Sequence, residues 1–370
     1  MGVNTALLPA KVTYGFVYSS LAAYWPFIPL FAKDVLGFTA SEIGLLRMLQ
    51  PLVAVVAQPL WGALADVKNY HRSIMLVNLM FGALLRASFA SASLFDSGKP
   101  FTSPRFLVSV AAVVCSEAVA SGVTPMVDAG VLALLKRTAT SSYGRQRMFG
   151  AMGFGLTTVV VGAIVDATNL CGGCPLPPRP PPSHPPPRYS MFVFHVAMAL
   201  VALCVARTLP MEPPPLKGSW SAAVRSLYRS NHVIAFVVLS VLLGMLAGVI
   251  GTYVFLFLDE DLGASKMLIG LSLTATCVAE FPVFHISGAL IEKMGCLGVV
   301  ALAFVCFFIR TLCYSVLTDP WFVLPIELLH GITFGAAWAA VTTFGNRVAP
   351  QGLQATTQAI LSASKMGLVR

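Results

Sequence analysis

The chain has 370 residues, of which 57% are hydrophobic and only 11% charged, and 24 basic against 15 acidic residues give it a net charge of +9. A soluble domain carries roughly 25% charged residues, so this chain has too little polar surface to cover a globule in water and is far too apolar to be disordered. A polytopic membrane protein remains.

Apolar runs of spanning length cover 11–32, 43–65, 73–94, 105–134, 145–168, 190–209, 233–258, 267–290, 297–317 and 320–345. An eleventh starts near Gln354 and is cut off at Arg370. The run nearest the start is long enough to span and reads as a helix that stays in the membrane. With the N-terminus in the cytoplasm, 13 basic residues fall in inner segments, among them Lys68, Arg72, Lys136 and Arg137, and 6 in outer ones. That bias follows the positive-inside rule. The +9 is therefore mostly a topology signal, with anionic lipid headgroups as secondary partners and no nucleic acid. The expected fold is all-α: an N-terminal six-helix bundle over 1–209, a cytoplasmic linker over 210–232, and an incomplete C-terminal bundle over 233–370. Two pseudo-repeated bundles are the plan of many secondary transporters.

Smaller features follow the same logic. Cys115, Cys204, Cys277, Cys306 and Cys313 lie in apolar runs and read as small buried hydrophobes. Cys171 and Cys174 form a C-x-x-C in CGGCPLPP, which reads as a local disulfide or two inert thiols. The following PPRPPPSHPPPRYS is a polyproline spacer in an outer loop. No metal or cofactor is expected.

A repeat shows at the ends of the second and eighth runs: Gly62-Ala63-Leu64-Ala65-Asp66 and Gly288-Ala289-Leu290-Ile291-Glu292. Glycine lets helices approach closely. The acid can pair with Arg72 or with a neighbouring helix N-terminus, so Gly62, Asp66, Arg72, Gly288 and Glu292 are candidates for a conformational latch.

Charges inside apolar runs are costly and need a partner or a task. Asp128 and Arg147 flank one short inner loop, so they can approach each other or clamp a hydroxyl-rich solute. Phe154, seven residues after Arg147, shares its face, and Glu117, about 1100° of rotation before Asp128, extends the stripe. In the second half stand Glu280, Arg310, Glu327 and His330. Glu327 and His330 are neighbours on one helix face and are groups whose protonation can be tuned.

Four stretches carry a resemblance: AYWPFIPLF, QPLWGALAD, TPMVDAG with YGRQRMFGAMGFG, and FFIRTLCYS with IELLHG. They resemble the major facilitator superfamily, and within it the oligosaccharide:proton symporters. The resemblance implies twelve helices in two bundles around a central cavity. It places Asp128, Arg147 and Phe154 where the family has its sugar-binding Glu, Arg and Trp. It also places Arg310 and His330 in the proton-coupling cluster. Thr333 stands where that cluster has its Glu, which leaves Glu327 to substitute.

The function expected is secondary active transport of a small polar solute, sugar- or nucleoside-like, by alternating access with proton symport. The alternative is a non-transporting membrane receptor or scaffold that retains the fold; solute uptake separates the two. No G-x-x-x-x-G-K-[ST] loop, H-E-x-x-H or G-x-S-x-G is present, so neither ATP-driven transport nor an enzyme is supported.

Overall fold

The computed structural model describes residues 5–138, 142–170, 189–211, 219–264 and 266–366. Cys171, Cys174 and the proline run lie outside them, as do residues 212–218 of the 210–232 linker. Within the described residues the chain is helical and has no strand. The helices are α1 (Leu8–Tyr24), α2 (Ile28–Asp34), α3 (Ala40–Lys68), α4 (His71–Ala87), α5 (Pro104–Ala120), α6 (Val123–Thr138), α7 (Tyr143–Leu170), α8 (Ser190–Ala206), α9 (Trp220–Tyr228), α10 (Asn231–Glu260), α11 (Lys266–Ser315), α12 (Val323–Glu327), α13 (Ala337–Val348) and α14 (Gln354–Met366). Among the described residues, seven stretches are long and apolar enough to cross a membrane by length and composition.

Three of the expected runs are subdivided. Trp25-Pro26-Phe27 separates α1 from α2, because Pro26 lacks the N–H that would continue the helical ladder. Ser121-Gly122 separates α5 from α6. Between α12 and α13 the chain winds as a wide π turn over Gly331–Ala336. Conversely, α11 holds two expected runs end to end, with the chain turning at Gly295 (φ 73°).

The helix ends follow local chemistry. Thr39 and Glu42 form a capping box at the start of α3: the Glu42 N–H donates to the Thr39 hydroxyl, and the Thr39 N–H donates to the Glu42 carboxylate at 2.9 Å. Asn69 closes the same helix in the left-handed region (φ 56°).

The helices are turned inside out relative to a soluble protein. On α3, Leu52, Val56, Leu60 and Leu64 are exposed at four-residue spacing, while Gln50, Gln58, Gly62 and Asp66 are buried. On α10 the exposed positions include Val238, Leu242, Met245 and Val249. An apolar outer face with polar groups inside suits a hydrocarbon solvent. Cys115 and Cys204 sit on that outer face, which corrects their reading as buried; Cys296 and Cys306 are buried. Periodicity marks a residue as apolar but does not say whether lipid or protein covers it.

A cluster of buried side chains joins the two halves of the chain, from Tyr14, Met126 and Tyr143 to Phe284 and Trp338. The joint lies toward the near face, the face that carries the start of α1, the α3–α4 turn and the start of α7. Glycines permit it. A Cβ on Gly62 would lie 2.8 Å from the Thr356 Cα of α14, and one on Gly144 would collide with Ser287 and the Phe284 carbonyl of α11. A Cβ on Gly288 would lie 2.5 Å from the Ser142 Cβ. Both glycines of the sequence repeat thus sit where one half meets the other.

A candidate solute cavity between the two halves

Above this joint lies a cavity of about 410 Å³, walled by α1, α3–α8 and α10–α11 and by the chain from α12 to α13. It extends toward the far face, where Trp25, Arg47 and Val254 line it.

The floor is a hydrogen-bonded network. Asp128, at 3% exposure, accepts from the Tyr14 hydroxyl at 2.6 Å and the Tyr143 hydroxyl at 3.0 Å. The Trp338 indole N–H donates to the same Tyr143 oxygen at 3.0 Å, tying α13 to α7. Charged acceptors shorten and strengthen such bonds. Asp128 therefore lies beneath the cavity and does not line it. Glu117 and Thr124 line the cavity, and Asp128, one turn beyond Thr124 on the same face, lies deeper, at the joint.

Arg147 stands on this floor. Its guanidinium carbon lies 3.7 Å from the Tyr18 ring centre, 5.3 Å from those of Phe284 and Trp338, and 5.8 Å from that of Tyr14. Four rings within about 6 Å form a cation–π cage. Arg147 is 2% exposed, and its Nε and Nη1 make no hydrogen bond. Phe154 lines the cavity on the same helix. Gly150 leaves room for the guanidinium, since a Cβ there would lie 2.5 Å from Nη1.

The second half contributes a connected set. Arg310 donates to Glu327 (2.8 Å), Thr333 (3.0 Å) and Tyr314 (3.0 Å), and the Tyr314 hydroxyl donates to Glu327 at 2.6 Å. His330 lies between Arg310 and Glu280: its Nδ1 is 3.3 Å from an Arg310 nitrogen, and its Nε2 is 3.2 Å from a Glu280 oxygen. Arginine only donates, so Nδ1 accepts, and the Nε2–H points to Glu280. His330 also stacks on Phe334, with ring centres 5.3 Å apart. The structure thus brings Glu280, Arg310, Glu327 and His330 together. Thr333 holds Arg310 through its hydroxyl.

Nearer the far face, Arg86 meets Glu117 at 3.3 Å and lies 5.7 Å from the Tyr24 ring centre. Arg47 is within electrostatic reach of the same glutamate and tyrosine. His195 lines this part of the cavity. Its Nδ1 lies 2.7 Å from the Ser20 carbonyl oxygen.

At the near face, Asp66 accepts from the N–H groups of Ala355 (3.2 Å) and Thr356 (2.6 Å), capping α14 of the opposite half, and lies 2.8 Å from His71 Nε2. Arg72, expected as its partner, donates instead to the Arg207 carbonyl after α8. His71 opens α4 one residue earlier and takes its place. Glu292 is exposed, so the second acid of the repeat makes no equivalent buried cap.

A sequence model of the MFS_1 like family matches residues 7–370. The chain belongs to that family. It is a multi-pass membrane transporter of the major facilitator superfamily. Similar proteins include the uncharacterized transporter YwbF of Bacillus subtilis, 23% identical over 95% of this chain and 81% of that protein. A maltose permease of Geobacillus stearothermophilus is 25% identical over 96% and 82%. Among solved structures, a variant of the nucleoside transporter NupG shares the fold with a TM-score of 0.67 at 14% identity, covering 98% of this chain and 88% of that one.

Sequence reasoning missed the groups that hold the charges: Tyr14, Tyr18, Tyr143, Tyr314 and Trp338. Arg47 and Arg86 line the cavity as well.

Proposed function

We propose that this transporter carries a small polar solute, sugar- or nucleoside-like, by alternating access, and that proton movement through the Glu280–His330–Arg310–Glu327 set drives it. The observation that carries this reading is the placement of that set. It lines the same cavity as Arg147 and Phe154, within a body whose two halves meet at one face. Arg147 and Phe154 supply a forked donor and a ring face for the solute. Glu117 adds an acceptor, and Asp128 anchors the floor. Glu327 holds Arg310 when ionised; when it is protonated, Arg310 is released toward Thr333 and His330, and the wall changes its charge. Asp66 of α3, capping α14 beside Gly62, latches the near face, and Gly288 seats Ser142 against α11 there. The positive-inside bias makes that face cytoplasmic, with bundles 1–209 and 233–370 rocking about the linker 210–232. The distal loops then face outward, and the cavity extends toward them.

The test is uptake by purified protein in liposomes, using a panel of sugars and nucleosides with and without an inward proton gradient. Accumulation that depends on the gradient is expected for at least one solute. Equal uptake with and without the gradient would reject proton coupling, and no uptake of any member would reject this solute class.

A further inference from the structure

The cavity wall is not neutral. Among the described residues it presents four arginines, Arg47, Arg86, Arg147 and Arg310, against three glutamates, Glu117, Glu280 and Glu327. Arg310 is matched within its own half by Glu327. The excess therefore falls on the first half, where Arg86 meets the single carboxylate Glu117 at 3.3 Å and Arg47 lies within its electrostatic reach. Arg86 is 6% exposed, yet its Nε makes no hydrogen bond, and neither does Arg47 Nη1. An uncompensated guanidinium held away from water is costly, and forked N–H donors fit a carboxylate in two parallel bonds. His195 adds a second feature. The Ser20 carbonyl can only accept, so Nδ1 carries the proton and Nε2 is a bare acceptor. That atom has no partner, and His195 is 1% exposed. It can receive a hydroxyl hydrogen.

We infer that the solute is a hydroxylated monocarboxylate, such as a hydroxy acid or sugar acid, with its carboxylate received by Arg47 and Arg86 and a hydroxyl donated to His195. This rests on the transporter reading and narrows its solute class. A single negative charge matches the one unbalanced guanidinium of this pair, whereas a phosphate dianion would overshoot it. The remaining hydroxyls extend toward Arg147 and Phe154 on the same wall.

The test is calorimetry on the full chain in lipid nanodiscs. The probes are lactate, gluconate and glucuronate, their neutral counterparts lactamide, sorbitol and glucose, and glucose 6-phosphate. At least one acid should bind tenfold or more tighter than its counterpart. Arg47→Gln and Arg86→Gln should each erase that difference. Because an arginine variant can fail through misfolding, Glu117→Gln supplies the opposite sign: it removes the competing carboxylate and should raise the preference for the acid over its neutral counterpart severalfold. Acids binding no tighter than their counterparts, or glucose 6-phosphate binding tighter than every acid, would overturn the assignment. Counterflow of the same probes in liposomes separates the two readings. Neutral-sugar counterflow without acid binding overturns the acid site and leaves transport standing. Acid binding without counterflow of any probe keeps the site and overturns transport.

Discussion

At the scale of single residues, Arg147 and Glu327 show how one fold holds charges in two ways. Arg147 is held by ring faces and keeps two nitrogens free of hydrogen bonds. Under the proposed function, a polar solute completes this geometry. Replacing Arg147 by Gln should lower solute affinity by about 2–5 kcal/mol, because it removes a charge-assisted contact in a low-dielectric site. The helical circular dichroism should be unchanged. Wild-type affinity in the purified variant would mean that the cage is structural. Glu327 is held by a cation and a phenol. Glu327→Gln keeps an oxygen for Arg310 but mimics the protonated state. Uphill accumulation should fall to equilibration while solute exchange between equal compartments persists. Accumulation at the wild-type level would move the proton carrier to Glu280. The candidates themselves were legible, since an ionisable residue in an apolar run announces its cost. Their partners were not. Tyr14, Phe284 and Trp338 are ordinary aromatics in apolar runs, and nothing local tells which ring faces a guanidinium three helices away.

At the scale of elements, the contact of α3 with α14 is a capped helix end that belongs to two halves at once. Asp66 supplies both acceptors for the first free N–H groups of α14. Loss of such a cap costs roughly 0.5–2 kcal/mol, or about 2- to 30-fold in an equilibrium. Asp66→Ala should shift the protein by that factor toward states opened at the near face. A cysteine at Ser142, in a background without other cysteines, reports this as faster alkylation. An unchanged rate would confine Asp66 to helix stability. The repeat that located Asp66 and Gly62 was visible in sequence as matched spacing. The exchange of His71 for Arg72 was not, because both follow the same turn and only its path decides which side chain returns to the acid.

At the scale of the whole molecule, the run lengths, the polar separators and the apolar outer faces agree, so the polytopic architecture was legible from hydropathy alone. The breaks at Trp25-Pro26-Phe27 and Ser121-Gly122 were less so. A run with a proline or a glycine keeps its hydropathy whether it kinks or continues, and neighbouring helices decide which. Orientation rests on the basic bias. Cysteines introduced at Ser97, in the α4–α5 connection, and at Ser219, before α9, are both exposed and should label from opposite sides of a sealed vesicle, Ser219 from the cytoplasmic side. Labelling of both from one side would reject the topology.

The winding of the chain from Pro325 to Ala336 has a mechanical consequence. Leu328, Leu329, Gly331 and Ile332 each donate three residues back, a tightened turn, and the wide turn follows at once. Overwinding and underwinding sit side by side, so their twists offset and the two flanking ends keep their alignment. Relaxing both to ordinary α geometry would turn the tightened stretch by roughly 20° per residue. Over the three residues from Glu327 to His330 that amounts to about 60° of relative rotation around the axis, which changes how the two groups face Arg310. The helix is in effect a screw with a cut thread, able to re-aim two ionisable groups by torsion alone.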